Sequence, residues 1–201
     1  MSFTPKDHYY KKAKEMGFKA RSAFKLDEIE DKYHIFKGAH RFLDLGCSPG
    51  SWSQWILKRA ESMGAQSCEV LGVDLTPVEL GLKGFHFIQG DMRELNLNQV
   101  FESLGSLQRF DIVLSDMAPK TTGIKLTDQA RSFELCEIAL DTAQKWLKPS
   151  GHVVIKLFHS EEFSELKKRI LLNYKRFEAF RPKSTRSMSK EIFLIGINKK
   201  G

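Results

Sequence analysis

Cysteine is scarce in this chain, with three among 201 residues: Cys47, Cys68 and Cys136, far apart and in no CxxC pair. An odd, dispersed set offers neither a disulfide framework nor the ligand spacing of a zinc site. No apolar run approaches the roughly 20 residues that cross a bilayer. The N-terminus, MSFTPKDHYYKKAKEMGFKARSAFKL, is charged throughout and lacks the apolar centre of a signal peptide. These absences speak against a secreted or membrane-bound protein, so a cytoplasmic location with no membrane partner is expected. Internal repeats and low-complexity linkers are also missing. So is the GxGxxG loop of nicotinamide-dependent oxidoreductases, which weakens that function class.

What is present suits one soluble domain. The length allows a full-sized core but not two ordinary domains, and the 41% apolar and 28% charged fractions are those of a globular protein. The net charge of +7 is unevenly spread: residues 1–25 hold seven Lys/Arg against two acids, residues 167–201 eleven against two, and the middle fourteen against twenty-one. Two cationic ends around an acidic middle predict that the ends fold onto one polyanion-binding face. Two solvated basic tails are the plainer alternative.

Short apolar runs alternate with amphipathic stretches, the βαβ rhythm of a parallel sheet covered on both faces. Strands are predicted at 41–45, 69–75, 85–90, 110–116, 151–158, 174–180 and 191–198. The clearest helix is 127–147, where Phe133, Cys136, Leu140, Ala143 and Leu147 recur on one face. Thr127 or Asp128 is its expected cap, and KPSG its end. RSAFKLDEIEDKYHIF predicts an extra helix before the first strand, with Phe24, Ile29 and Tyr33 toward the core and Lys25 beside them.

Several motifs carry chemistry. DLGCSPGSW, residues 44–52, follows the first strand and opens a helix; Gly46 permits a tight turn and Gly50 a close backbone approach to a ligand. Asp74 ends the second strand, where a carboxylate can accept from both hydroxyls of a ribose. Asp91 follows the third strand, Asp116 the fourth, and Lys156 stands near the end of the fifth, inside VVIKLF. Each has a plain reading: a turn aspartate, or a lysine snorkelling from a strand end. Together they lie on the edge where open α/β sheets bind ligands, and a lysine held among apolar residues can serve as a base.

In these residues the chain resembles the FtsJ/RrmJ type of S-adenosylmethionine-dependent RNA ribose 2′-O-methyltransferases. KDHYYKKAKEMGFKARSAFKL, DLGCSPGSWSQW, GVDL, GD, LSDMAP, VVIKLF and RPKSTRSMSKEIFLIG carry the likeness over nearly the whole chain, in family order. The resemblance implies a Rossmann-like class I fold: a seven-stranded, mostly parallel sheet with helices on both faces. Residues 1–201 then form a single methyltransferase domain, with 1–38 a basic extension and extra helix packed on its core. It implies a catalytic Lys-Asp-Lys-Glu tetrad of Lys25, Asp116, Lys156 and Glu191, with Lys156 the proton acceptor. It further implies S-adenosylmethionine contacts at Gly50, Trp52, Asp74, Asp91 and Asp116, and no metal.

The departures are small: Cys47 and Ser48 stand where the family commonly has alanine, Ser51 where glycine is frequent, and Phe193 where many members carry tyrosine. The basic ends, Lys11, Lys12, Lys14, Lys19 and Arg21 with Arg181, Lys183 and Arg186, form an expected phosphate track. Tyr9 and Tyr10 either stack on splayed bases or pack on the core. The partner implied is 23S ribosomal RNA in the large subunit, methylated at a uridine by a monomeric enzyme. Methylation of a transfer RNA anticodon loop is the alternative, and an oxidoreductase or a non-catalytic RNA-binding module the readings from other classes.

Overall fold

The computed structural model describes residues 8–65, 67–103, 109–158 and 162–201. Two helices, α1 (His8–Glu15) and α2 (Ala23–Tyr33), precede the first strand. An alternating series follows: β1 (Arg41–Leu45), α3 (Ser51–Ser62), β2 (Glu69–Asp74), β3 (Phe85–Gln89), α4 (Leu97–Ser103), β4 (Phe110–Ser115), α5 (Lys125–Trp146), β5 (Leu147–Phe158), α6 (Phe163–Asn173), β6 (Tyr174–Phe180) and β7 (Glu191–Lys199).

The sheet has seven strands in the order β3-β2-β1-β4-β5-β7-β6. β1 to β5 are parallel, and β7 runs antiparallel to both β5 and β6. Chain order reverses between β1 and β4, so a crevice opens beyond their carboxyl ends, the usual ligand position in such sheets. The central strands are apolar along their length because helices cover both faces. One core layer joins Leu43, Leu45, Val113, Val153 and Ile155 to the α5 and α6 side. The other packs Phe42, Ile112, Val154 and Phe193 against α2 and α3, through Leu26, Ile29, Trp52 and Trp55.

Two local expectations need correction. α5 starts without a side-chain cap. Asp128 instead reaches back to the preceding turn, accepting from Thr122 N at 2.7 Å, Thr122 Oγ1 at 2.9 Å and Gly123 N at 3.2 Å. β5 begins at Leu147 rather than 151, because Leu147 already pairs with Phe110 before an irregularity that shifts the register to Ile112–His152. At the end of α5, Lys199 Nζ donates to Gln144 O at 2.5 Å and Leu147 O at 3.3 Å, filling carbonyls that the helix leaves open. Phe24 and Ile29 are buried, and Tyr33 is half-buried, as expected of the extra helix.

Candidate active site

The first βα turn is set by backbone geometry. Gly46 sits at φ 71° and Gly50 at φ 100°, left-handed values that favour glycine. A Cβ on Gly46 would lie 2.7 Å from Met117 Cγ and 2.9 Å from Met117 Cα, so the turn passes hard against the segment leaving β4. Gly46 N donates to Val73 O at 2.9 Å, tying it to β2 as well. Asp74 grips its other side, accepting from Ser48 N at 2.9 Å and Thr76 N at 2.8 Å.

Beneath the turn, Asp44 is fully buried. Its Oδ2 accepts from Ser53 Oγ at 2.7 Å, while Oδ1 has no hydrogen-bond partner. Burial pushes its carboxyl up to about 7, with the nearby Asp116 and Asp74 charges adding to the effect against the Ser53 hydrogen bonds.

A cavity of about 330 Å³ opens at the carboxyl ends of β1, β2 and β4, walled by Gly46, Asp74, Asp91, Asp116, Met117 and Ile138 among others. Asp91 is paired with Arg93, whose Nε lies 3.0 and 3.1 Å from its two oxygens. Those side-chain hydrogen bonds, with one from the Arg93 backbone, hold the Asp91 carboxyl down at about 2. It therefore stays ionised at any ordinary working pH. Three of the five residues expected at a cofactor thus line one cavity. Gly50 lies against Leu80, 2.6 Å from where its Cβ would be. The Trp52 indole belongs to the α2–α3 core layer and donates through Nε1 to Ser22 O at 2.8 Å.

One ion pair stands on the cavity wall through Asp116, and a second lies further along the β5–β7 face. Lys156 Nζ is 2.9 Å from Asp116 Oδ1 and also donates to the Asp116 carbonyl. The pair is held from behind, since Asp116 N donates to Leu45 O at 3.2 Å and Cys136 Sγ to Lys156 O at 3.2 Å. Lys25 Nζ is 2.5 Å from Glu191 Oε1. Lys156 is opposite Phe193 and Phe158 opposite Glu191 across β5 and β7. Lys156 and Glu191 are therefore diagonal neighbours on one face, about 7–8 Å apart in such ladders. The four groups combine two positive and two negative charges, which limits the cost of removing them from water.

The cationic ends meet on this side of the molecule. Glu28 of α2 accepts from Lys183 N at 2.6 Å and Ser184 N at 2.8 Å, and Arg21 donates to Ser184 O. Arg181 Nη2 holds Arg186 O and Ser187 O at 3.3 Å, and Tyr33 packs edge-on against Phe180. Burial and the neighbouring Arg186 lower the Arg21 guanidinium from its usual range, with Glu191 opposing them. Tyr9 packs on Phe24, whereas Tyr10 is exposed. Sequence reasoning did not single out Glu28 or Ser22, and took Ser51 only as a small residue where glycine is frequent; nothing near them in the sequence marks their contacts, because their partners lie far away along the chain.

Among the described residues, no group of three or more His, Cys, Asp or Glu is placed to hold a metal ion, and no helix is long and apolar enough to cross a membrane. Residues 18–199 match the FtsJ-like methyltransferase family. The chain is 54% identical over 200 residues, all of both chains, to the ribosomal RNA large subunit methyltransferase E of Bdellovibrio bacteriovorus. It is 44% identical to the protein of the same name from Desulfatibacillum aliphaticivorans, covering 98% of this chain and 92% of that one. Among solved structures, a ribosomal RNA methyltransferase from Plasmodium falciparum superposes with a TM-score of 0.79 at 28% identity, over 92% of this chain and all of that one. A turn, a cavity and two ion pairs placed in this way sit within a sequence matched almost end to end, and the chain belongs to the FtsJ-like methyltransferase family.

Proposed function

We propose that this methyltransferase modifies a ribose 2′-hydroxyl in RNA, using S-adenosylmethionine as donor and a uridine of 23S ribosomal RNA in the large subunit as target. The observation that carries the reading is the Lys156–Asp116 pair, 2.9 Å apart beside a cavity that Asp116 itself lines. The names of the relatives at 54% and 44% identity support the ribosomal target. The reading sets the reaction in the cytoplasm, with the enzyme acting as a monomer.

The residues present fit the donor. The cavity of about 330 Å³ falls in the range of small-ligand sites. Each Asp74 oxygen already accepts one backbone N–H and keeps a further lone pair for the hydroxyls of a ribose. Asp91 and Asp116 add acceptors on the same wall, which Gly46 and Met117 close by packing directly against each other. S-adenosylmethionine supplies a methyl already activated by its sulfonium, so the reaction needs no Lewis acid.

What remains for the chain is orientation and proton handling. A ribose hydroxyl is a poor nucleophile until its proton is shared. Lys156 Nζ, fixed by the carboxylate and carbonyl of Asp116, is the group placed to receive that proton. Asp116 stands between the cavity and Lys156, so one carboxylate sets the register of both reactants. Lys25 and Glu191 give the ribose one donor and one acceptor on the opposite side. The cationic face made by α1, residues 19–21 and residues 181–190 holds the phosphates without reading sequence.

Transfer of tritiated methyl to undermodified large subunits and to transfer RNA, followed by mapping of the modified nucleotide, tests the proposal. Label on a ribose of large-subunit RNA is the expected result. Label on transfer RNA alone overturns the ribosomal target, and label on a base overturns the ribose.

A further inference from the structure

We infer that Trp52 is a positioning residue for Lys25, joining the glycine turn of the cavity to the Lys25–Glu191 pair without placing its ring in the cavity. The inference rests on the 2′-O-methyltransferase reading, in which Lys25 orients the ribose. Trp52 is the second residue of α3, immediately beyond the turn, and is 2% exposed. Its indole N–H donates to Ser22 O at 2.8 Å. Ser22 directly precedes α2, and its hydroxyl also meets Ser51 Oγ at 2.6 Å. The start of the helix that carries Lys25 is thus gripped twice by consecutive residues of α3.

The ring has a second contact. Its centroid lies 5.8 Å from that of Phe193, which is fully buried and opposite Lys156 in the β5–β7 register. Lys25 Nζ sits 5.7 Å from the same Phe193 ring. Trp52 therefore touches both supports of the ion pair: the helix start on one side, and the ring two residues beyond Glu191 on the other. Further along α3, Gln54 accepts from Lys19 N at 2.8 Å and Lys58 Nζ donates to Met16 O at 2.9 Å. Those bonds dock the extension as a whole, whereas the Trp52 bond falls three residues before Lys25.

The resemblance implies a cofactor contact at position 52. On this geometry any such contact falls to main-chain N–H at the start of α3, where helix termini leave donors open, and the side chain does different work. A shift of the α2 start by about 1 Å carries the Lys25 ammonium with it, and displacements of that size cost about 10²-fold in rate when they misplace a reactant.

The test is Trp52→Phe in the full chain, which keeps a ring against Phe193 and removes the N–H. The expected result is a fall in kcat of about 10–100-fold. KM and calorimetric Kd for S-adenosylmethionine should stay within about twofold of the parent, and the melting temperature close to it. The Nζ resonance of Lys25, identified by its loss in Lys25→Arg, should move in Trp52→Phe with neither cofactor nor RNA present. Ser51→Ala removes the neighbouring bond and should show a milder form of the same split; it carries the test if Trp52→Phe does not fold. A Trp52→Phe enzyme that binds cofactor ten times more weakly yet reaches the parent kcat at saturation overturns the inference. So does one whose kcat and Lys25 resonance are both unchanged. Failure of the parent enzyme to methylate RNA refutes the function reading instead, and leaves the resonance to report on positioning.

Discussion

Lys25 and Glu191, from opposite ends of the chain, meet at 2.5 Å with both side chains only 11% exposed. Removing one partner of a buried pair strands the other charge, a loss of about 3–5 kcal/mol, whereas replacing both with apolar groups is often close to neutral. Lys25→Met and Glu191→Met should therefore each lower the denaturation midpoint, and the double variant should recover most of it. Methyl transfer should stay lost in all three. Recovery of activity along with stability in the double variant would show the pair to be a strut and not part of the site.

Lys156 makes a sharper prediction, because proton transfer by a positioned side chain contributes about 10²–10⁴-fold. Lys156→Ala should lose that factor in single-turnover methyl transfer while filter binding of RNA stays near the parent value. Lys156→Arg should not rescue it, since a guanidinium keeps its proton and is a poor base. Asp116→Asn should fall similarly and also weaken cofactor binding, because Asp116 lines the cavity and holds Lys156 at once. A Lys156→Ala enzyme with the parent rate would remove the lysine from the mechanism.

The carboxyl-end acids were legible because a parallel sheet brings every strand's C-terminal end to one edge, so Asp74, Asp91, Asp116 and Lys156 needed only strand assignments to be placed together. Strand assignments came from short apolar runs, which parallel strands buried on both faces oblige, and which the half-buried edge strand β3 shares. Leu147 was missed as a strand residue because Pro149, Ser150 and Gly151 read as a turn, while the actual chain passes through an irregularity and keeps pairing. Asp128 was misread because an aspartate in a first turn can serve the preceding loop as well as the helix. Glu28 left no trace in the sequence: its role is to receive Lys183 N and Ser184 N across more than 150 residues. The direction of the Trp52 indole was hidden too, since a residue beside a glycine turn can face either core layer.

Gly46→Ala tests the turn. At φ 71° an alanine is strained, and its Cβ would lie 2.9 Å from Met117 Cα, which is backbone and cannot rotate away. Relief must come from moving the segment that carries Asp116. Weaker S-adenosylmethionine binding, by tenfold or more in calorimetry, is expected with a drop in kcat. Unchanged affinity would mean that the turn does not wall the donor site.

Asp44 makes stability depend on pH in an unusual direction. Burial raises its folded pKa to about 7 against about 3.9 unfolded. Between these values the folded state holds the extra proton, so stability falls as pH climbs from about 4 through about 7. The full penalty above pH 7 is on the order of 4 kcal/mol. Asp44→Asn keeps an acceptor for Ser53 and carries no charge. It should raise the melting temperature at pH 8 and change it little at pH 4.5. Equal shifts at both pH values would indicate that the aspartate does not ionise in the fold.

His152 pulls the other way in an overlapping window. Its Nδ1 accepts from Asn198 N at 3.0 Å, which requires the neutral ring. Burial lowers its pKa, against a smaller opposing effect of Asp111. The unfolded chain takes up the proton first, near 6.5. Stability from this group is therefore complete above that pH and declines as pH falls toward the lower folded value. His152→Gln, with an amide oxygen to accept from Asn198, should flatten the acid side of the urea-midpoint profile and leave the Asp44 slope near neutrality intact. In the Asp44→Asn background midpoints should rise from about pH 5 to 7 with the His152 contribution, set against the opposing slope of Glu30, whose carboxyl burial also raises. A profile that keeps falling toward pH 7 in that background would assign the slope to some other carboxylate.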